Sequence, residues 1–401
     1  AALASALGAA GIFLFARRFA PAPVALLAGA AYAADPLVWQ YSEIAYPYTV
    51  LGLGSLVVAW AAYRARGRGA GAAIVASVAF GIAAGFRQDL LILLAPLWLW
   101  SLRPLGIRGA IRPALALGAA CLLWLIPTVI LSDGVEAYAN ALLGQAAYVG
   151  QTYSIVGQGV PALVANVAMT IWAAGWGLLL AAPLAVAGVA LLGRRAARAL
   201  LDSDAGFFLV WCVPPLLIYV GLHIGDWGYV LSALPGLYIV AAHALGSLAR
   251  ARGRVVIGAG WAGLVAAPAL LFAASGAPFS ASEIAAHDRG LQTRFAYVRD
   301  HFTAERTLIL TREDFLLVRY YLPDYHARQH DPDPYVRTSR RMRAGHVDQV
   351  VVFTPGLAPE QAADVRHVAC AAGVELVYLD VAPGTVLEFR GERYAVASPA
   401  P

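Results

Sequence analysis

Few ionisable side chains lie in or beside the apolar stretches of this chain, and each is a candidate for chemistry because a charge at membrane depth is costly. Glu43 stands among tyrosines in QYSEIAYPY. A carboxylate in that setting can act as a general base for an acceptor, bind a sugar hydroxyl or ligate a metal. The alternative is a solvated loop acid. Tyr41 and Tyr46 flank Glu43 and are candidate substrate-binding residues.

A second group, formed by Arg87, Gln88 and Asp89, interrupts an apolar segment in GFRQDLL. The planar fork of donors on an arginine suits phosphate. The alternative is an ion pair between Arg87 and Asp89 that neutralises both charges. Within residues 1–274, Arg87 is the one basic residue on the outer side of the predicted membrane topology, which favours phosphate binding.

A third group is His223, Asp226 and Tyr229 in HIGDWGY. Asp226 can bind sugar hydroxyls or orient His223 as a proton carrier. A short polar turn between two helices is the alternative. His326 and His330 are four apart in HARQH, but this segment lacks a nearby glutamate and is predicted to be a strand, so we expect no metal site there. No cofactor is firmly implied, although a divalent metal stays open.

The composition is that of a membrane protein with a soluble tail. The 401 residues are 60% hydrophobic and 13% charged, with a mean hydropathy of +0.66. Residues 1–274 form repeated apolar runs and carry 15 arginines against 8 acidic residues, whereas 275–401 have 14 arginines and 16 acidic residues. The net positive charge therefore follows membrane topology, and nucleic-acid binding is not needed to explain it. No lysine is present, which excludes Schiff-base catalysis.

The apolar runs predict about ten membrane spans. We place them near 1–16, 20–35, 48–63, 70–86, 88–102, 113–132, 165–192, 206–222, 229–249 and 255–274. Arginines cluster in every alternate loop, after the first, third, fifth, seventh and ninth spans. The positive-inside rule makes that side cytoplasmic, which places Glu43, Arg87, His223, Asp226 and the tail outside.

Two parts of this topology allow alternatives. The short spans 70–86 and 88–102 can form a re-entrant hairpin, which leaves the orientation of all the others unchanged. The run 161–193 is long enough to be split, but a split moves the arginines that follow it to the outside, so we predict one long tilted span. Residues 133–161 are predicted to be an outer loop rich in amides and aromatics.

The tail predicts a small α/β domain with a mostly parallel sheet. A helix at 288–301 precedes a strand at 307–311, a helix at 313–322 and a strand at 326–330. A strand at 349–355, a helix at 359–373, a strand at 375–381 and a hairpin at 385–396 complete it. Without a glycine-rich phosphate loop or a metal cluster, the domain is expected to recognise the acceptor or to be accessory.

Four segments carry a resemblance to a known family: ARRFAPAPVALLAGAAYAADPLVWQYSEIAYPYTVLGLGSLVVAW, GIAAGFRQDLLILLAPLWLW, GDWGYVLSALPGLYIVAAHAL and LVRYYLPDYHA. Together they resemble polyprenyl-phosphate-sugar-dependent glycosyltransferases of the GT-C fold, above all protein O-mannosyltransferases and aminoarabinose transferases. The resemblance implies a plasma-membrane (inner-membrane) enzyme that transfers a sugar, with inversion, from a polyprenyl-phosphate donor to a glycan, lipid or protein acceptor at the outer face.

The catalytic carboxylate of that family lies in its first outer loop. This chain resembles the family from the second span onward and begins at Ala1 inside an apolar run, so we expect an N-terminal truncation and that carboxylate upstream. Glu43 is the in-chain substitute. Gly228 stands where the family often has arginine, which puts donor contacts there in doubt. A transporter or flippase, or a non-catalytic subunit that binds lipid or glycan, are the alternative functions.

Overall fold

The computed structural model describes residues 1–43, 46–152, 154–195, 203–274, 276, 280–311, 314–329, 349–353, 366–369, 375–380, 386–389 and 392–395. Its contacts divide the chain into two compact units, Ala1–Ser282 and Glu283–Pro401. The first, the helical unit, consists of α-helices joined by short turns. The second, the sheet unit, contains a mixed β-sheet.

The helices of the helical unit follow the apolar runs of the sequence. They are α1 (Ala2–Ala16), α2 (Ala22–Ala33), α3 (Pro36–Glu43), α4 (Tyr48–Ala65), α5 (Gly69–Phe86), α6 (Leu90–Leu93), α7 (Ala95–Leu102), α8 (Gly106–Leu131), α9 (Val135–Thr152), α10 (Ile155–Gln158), α11 (Val160–Leu178), α12 (Ala181–Arg195), α13 (Asp204–Gly221), α14 (Leu234–Arg252), α15 (Arg254–Trp261) and α16 (Ala267–Ala274). A 3-10 helix, Trp227–Ser232, precedes α14, and a π-helical turn, Ala262–Ala266, joins α15 to α16.

Several of these helices are apolar and long enough to cross a membrane, so the chain is a multi-pass membrane protein. In the described residues five segments meet that condition: Gly69–Phe86, Ala95–Leu131 (within which α8 alone has 26 residues), Val160–Leu178, Asp204–Gly221 and Arg254–Ala274. A sixth counts if α2 and α3, which are bent by 53° at Ala34–Asp35, form one broken span. The total of about ten spans stays a prediction.

Ends of helices that carry arginine gather at one end of the helical unit, which we call the basic end. The guanidinium carbon of Arg18, after α1, lies 6.0 Å from the ring centroid of Tyr63 near the end of α4. Tyr63 donates a hydrogen bond of 3.1 Å to Asp204 at the start of α13. Arg66 lies 5.0 Å from the ring of Trp100 at the end of α7. An aromatic core follows, made of the packed rings of Phe15, Trp60, Tyr63, Phe207, Phe208 and Trp211.

Two close helix contacts hold α5 in place. Its Gly81 and Gly85 face Ala120 and Trp124 of α8, and a Cβ on Gly85 would lie 2.7 Å from the Trp124 ring. Trp124 also donates a hydrogen bond of 2.9 Å to the Gly81 carbonyl. Small residues four apart let two helices approach closely in a membrane. These contacts show that α8 runs parallel to α5. They hold the C-terminal end of α5, which precedes Arg87, against α8.

The return from α5 is made by α6 and α7, which run antiparallel to it. Trp98 donates its indole N–H to Ser77 at 2.8 Å, and Leu102 packs in the cluster that contains Ala73 and Ala76. The turn between α5 and α6 contains Arg87, Gln88 and Asp89. The predicted spans 70–86 and 88–102 therefore form an antiparallel hairpin, whose second leg is interrupted at Leu94.

The predicted span 165–192 is not one continuous helix. Helix α11 ends at Leu178, and Leu179 adopts the left-handed φ of 45° before α12 begins at Ala181. The reason is Pro183, which lacks an N–H and whose ring would clash with a helical carbonyl at Leu179. Gly177 at the end of α11 lies beside Leu234, and Gly188 of α12 lies beside Val240 of α14, so the chain continues along α14 after the break.

The described residues between 133 and 161 are mostly helical where the sequence predicted a loop. They contain α9, α10 and the start of α11, with Asp133 and Gly134 in positive φ between α8 and α9. Ser154 caps α10 by accepting hydrogen bonds from the amides of Val156 and Gly157. Polar side chains spaced around an apolar helix face were therefore mistaken for loop residues.

The sheet unit begins with α17 (Ala281–His301), followed by β1 (Thr307–Thr311), α18 (Phe315–Tyr321), β2 (His326–Gln329), β3 (Gln349–Val352), β4 (Arg366–Ala369), β5 (Glu375–Asp380), β6 (Val386–Phe389) and β7 (Glu392–Ala395). Five strands form one sheet in the order β2-β1-β3-β5-β4, and β6 pairs with β7. Its core packs Phe295 and Val298 of α17 and Val318 of α18 against Ile309 and Val351.

Two predictions for this unit were wrong. The sheet is mixed, since β1 pairs in parallel with β2 and β3 whereas β5 is antiparallel to β3 and β4. Residues 366–369, predicted as helix within 359–373, are strand β4, because they pair with the β5 edge. The rest of the predicted helix, 359–365 and 370–373, lies outside the described residues, as does His330.

Candidate functional site

The end of the helical unit opposite the basic end contains a cluster of tyrosines around one arginine, which we call the tyrosine cluster. Its members are Tyr41, Tyr48, Arg87, Asp89, Tyr219, His223, Asp226 and Tyr229. They come from α3, the start of α4, the turn after α5, the end of α13 and the segment before α14. Residues 185 positions apart in the chain meet here.

The centre of the cluster is the guanidinium of Arg87. Its carbon lies 5.0 Å from the ring centroid of Tyr48 and 4.6 Å from that of Tyr229, distances at which a cation is attracted to an aromatic face. Nε and Nη2 donate hydrogen bonds of 3.1 Å and 2.6 Å to the two carboxylate oxygens of Asp89. The bidentate ion pair foreseen as the alternative for Arg87 is therefore formed.

The ion pair with Asp89 keeps Arg87 protonated. Its side chain is 14% exposed and that of Asp89 is 34% exposed. Burial by itself lowers the pKa of Arg87, but the Asp89 carboxylate and the Tyr229 hydroxyl raise it above the ordinary value. The guanidinium is consequently a permanent cation whose plane is set by two phenol rings.

Asp226 forms a second part of the cluster, next to Tyr41 and Tyr48. Tyr41 donates its hydroxyl hydrogen bond to Asp226 Oδ1, and the amide of Gly228 donates to the same oxygen at 3.2 Å. Asp226 thereby caps the 3-10 helix that begins at Trp227. Burial raises the pKa of Asp226, while the amides of Gly228 and Trp227 oppose that shift. A carboxylate so placed can accept a proton or bind a hydroxyl.

Gly228 lets these two parts of the cluster meet. A Cβ on it would lie 2.5 Å from the Tyr48 ring and 3.0 Å from the Tyr41 ring, so a larger residue would separate Tyr41 from Tyr48. The rings of these two tyrosines lie 4.9 Å apart in an edge-to-face arrangement. This packing is the physical reason that position 228 holds a glycine.

His223 completes one wall of the cluster. Its ring packs edge-to-face on Tyr229 at 5.6 Å, and Tyr219 packs on the same tyrosine at 5.3 Å. Tyr219 shares a hydrogen bond of 2.8 Å with Ser232. Burial, and then the nearby Arg87 guanidinium, lower the pKa of His223 to about 4. Its imidazole is therefore neutral at pH 7.

The depressed pKa of His223 predicts a pH dependence of stability. Below its ordinary pKa of 6.5 the unfolded chain binds a proton at this position, whereas the folded chain does not until about pH 4. Stability that is fully present above pH 6.5 is thus lost as the pH falls towards 4. We expect the thermal stability of His223→Gln to fall less than that of wild type as the pH is lowered from 6.5 towards 4. His287→Gln, which changes an exposed histidine, should show the same pH dependence as wild type. A His223→Gln curve parallel to wild type would contradict the assignment.

Three predicted site residues lie at the margin of the cluster. Tyr46 is 48% exposed and only its ring edge contacts Tyr48, at 6.0 Å. Glu43 is exposed at the end of α3, and no hydrogen bond or ion pair joins it to a described residue. Gln88 is half-buried in the turn, where its carbonyl accepts the amide of Leu91.

The sequence reading missed Asp35, a buried acid beneath the cluster. It is 1% exposed; its Oδ1 accepts the amides of Leu37 at 2.8 Å and Val38 at 3.3 Å and so caps α3. Tyr238 Oη lies 3.0 Å from Asp35 Oδ2 and 3.0 Å from the Gly177 carbonyl. The available signal was an aspartate immediately before proline, a common start of a helix.

No group of three or more histidine, cysteine, aspartate or glutamate side chains in the described part of the chain is arranged to hold a metal ion. Comparisons with models of protein families, with curated proteins and with solved structures found no match to this chain.

Proposed function

We propose that this chain is a membrane glycosyltransferase of the GT-C type, which moves a sugar from a polyprenyl-phosphate donor to a glycan, lipid or protein acceptor. The observation that carries the proposal is the tyrosine cluster. A permanent cation, a half-buried carboxylate and several aromatic rings meet at one end of an apolar helical unit. Such a site suits an anionic, hydroxylated headgroup whose hydrocarbon tail stays in the bilayer.

The donor phosphate is assigned to Arg87. The rings of Tyr48 and Tyr229 fix the plane of the guanidinium, so its N–H groups are oriented before the ligand binds. N–H groups held in place stabilise the negative charge that develops on a leaving phosphate. Asp89 accepts from two of the five N–H groups of Arg87. The phosphate is assigned to the remaining N–H groups, and the Asp89 carboxylate opposes its binding through its like charge.

The acceptor is assigned to Asp226. In an inverting transfer the acceptor oxygen forms a bond to the anomeric carbon as the bond from that carbon to the phosphate oxygen breaks. The proton of the acceptor hydroxyl passes to a carboxylate, and polyprenyl phosphate leaves with the electron pair. Asp226 has the burial and the raised pKa that suit a general base. Glu43 stays a second candidate, exposed to solvent.

The placement in the cell follows from the charges. The basic end carries the arginines that the positive-inside rule assigns to the cytoplasm. The tyrosine cluster then faces the outside of the plasma membrane. On the same rule the sheet unit is extracytoplasmic.

The proposal is tested by reconstituting the full-length protein with radiolabelled polyprenyl-phosphate sugars and a mixture of envelope acceptors. We expect Asp226→Asn to slow transfer by about 100-fold or more, the usual cost of losing a general base, while Glu43→Gln transfers within a few-fold of wild type. Donor binding should survive in Asp226→Asn. Release of no labelled product by the wild-type protein from any donor would contradict the proposal.

A transporter or flippase is the second candidate, and one observation favours it. Helices broken near their middle often line transport sites. Here the break between α2 and α3 and the break between α11 and α12 meet through Asp35, Tyr238 and Gly177. Movement of the labelled lipid-linked sugar across proteoliposomes without acceptor, and without cleavage of the sugar–phosphate bond, would establish this alternative.

A further inference from the structure

The sheet unit has a topological switch point between β1 and β3. These strands are parallel neighbours, with Ile309 opposite Val351 and Leu310 opposite Val352. The chain leaves β1 towards β2 on one side and leaves β3 towards β4 on the far edge of the sheet. In open α/β sheets, ligands bind outside the carboxyl ends of the two strands at which the connections diverge.

A buried hydroxyl without a partner lies at the carboxyl end of β1. Thr311 is 0% exposed, and among the described residues its Oγ1 has no hydrogen-bond partner. Thr307, at the other end of the same strand, is equally buried but donates its hydroxyl to the Thr303 carbonyl at 2.7 Å. Buried polar groups are normally paired because an unpaired one costs free energy. The Thr311 hydroxyl is thus without a hydrogen-bond partner among the described residues, at the carboxyl end of β1 and β3 where a ligand is expected.

An arginine reaches the same edge from α17. The amide of Phe353, just after β3, donates a hydrogen bond of 2.8 Å to the Leu310 carbonyl, so Phe353 continues the pairing beside Thr311. The guanidinium carbon of Arg294 lies 5.8 Å from the Phe353 ring centroid. Its buried Nε has no hydrogen-bond partner in the described part of the chain. Phe353 therefore lies next to the end of β1 that carries Thr311, and its ring contacts Arg294.

From this arrangement we propose that the sheet unit binds a phosphate monoester, with Arg294 and Thr311 as its anchors. The Arg294 Nε–H and the Thr311 hydroxyl can both donate hydrogen bonds to the oxygens of a phosphate. A bound phosphate would thus give each of these buried groups a hydrogen-bond acceptor. This subsite lies within the sheet unit and does not rest on the function proposed for the tyrosine cluster. The monoester has two sources, a lipid headgroup or a soluble phosphate compound.

Binding is measured on the full-length protein in detergent by equilibrium dialysis against radiolabelled inorganic phosphate. We expect wild type to bind phosphate, and Arg294→Gln and Thr311→Val each to weaken the affinity at least tenfold. Arg289→Gln removes an exposed arginine from the same helix and should bind as wild type does. Nanodiscs with phosphatidic acid, but not with phosphatidylcholine, should block phosphate uptake if the ligand is a lipid headgroup; no block identifies a soluble phosphate compound.

Thermal unfolding without phosphate separates a ligand group from a structural one. Thr311→Val should leave the midpoint unchanged or raise it, because it removes an unpaired buried hydroxyl, whereas Thr307→Val should lower it. A wild type that binds no phosphate in the millimolar range would overturn the proposal. So would a Thr311→Val variant that loses as much stability as Thr307→Val, or one that binds phosphate with wild-type affinity. If Arg294→Gln does not fold, Thr311→Val decides.

Discussion

Arg87→Ala should reduce sugar transfer by about 100-fold to 1000-fold, the cost of removing one preorganised donor from the site of a developing anion. It should also destabilise the protein by about 3 kcal/mol, because two cation–π contacts are lost and Asp89 keeps a partly buried charge without its partner. Transfer is measured in proteoliposomes, and stability by thermal unfolding in detergent.

A pair of further variants separates catalysis from structure. Asp89→Asn removes the competing charge but keeps a similar shape, so it should destabilise the protein while binding the anionic donor as tightly as wild type or more tightly. Arg87→Ala combined with Asp89→Asn should regain part of the lost stability but none of the lost transfer. Arg64→Ala, an exposed arginine at the basic end, is the matched control. Equal transfer by Arg87→Ala and wild type would show that Arg87 serves only its ion pair.

Asp35→Ala should destabilise the protein by about 3 kcal/mol, the largest loss of stability that we expect from an acid outside the tyrosine cluster. The change removes the acceptor for two amides and for Tyr238 in a buried site, and a buried donor left unpaired costs about 1–3 kcal/mol. Because Asp35 caps α3, the position of Tyr41 should change too, so Asp226 would lose its hydroxyl donor. Thermal unfolding in detergent measures the loss.

Two milder variants identify the cause of that loss. Asp35→Asn keeps an oxygen for the amides of Leu37 and Val38 and should retain about half of the stability lost in Asp35→Ala. Tyr238→Phe removes one hydroxyl and should cost about 1 kcal/mol. If Asp35→Ala unfolds at the wild-type temperature, the cap and the link to Tyr238 contribute nothing, and the bend between α2 and α3 has another origin.

The side on which each helix ends was easier to predict from the sequence than the side-chain contacts between helices. Arginine after the first and third apolar runs indicated a shared side, and the structure places Arg18 beside Tyr63, because charge excludes these loops from lipid whatever the tertiary packing. Tyr41 and Asp226 were both candidates, yet nothing in their spacing indicated that they touch. Tyr48 was not among the candidates, because its contact with Arg87 depends on how α4 packs on α5.

Breaks inside apolar runs account for much of the rest. Asp35 was missed because the run 20–35 was treated as one span, which placed the acid at its edge and not in a bend. Leu179 is apolar, so hydropathy continued through it and the effect of Pro183 went unnoticed. In the sheet unit, Arg366–Ala369 alternate too briefly to be distinguished from helix, and pairing with β5 decides their conformation.

The order in which the chain is made limits when the tyrosine cluster can form. Tyr48, Arg87 and Asp89 emerge early during synthesis, whereas Tyr229 and Asp226 follow more than 130 positions later. Until that segment is inserted, the Arg87 guanidinium lacks its contact with the Tyr229 ring, and the Tyr41 hydroxyl lacks the Asp226 carboxylate that accepts its hydrogen bond. A ribosome-stalled chain ending before Ile224 should therefore lack the complete tyrosine cluster, and we expect it not to bind the lipid-linked sugar of the proposed activity.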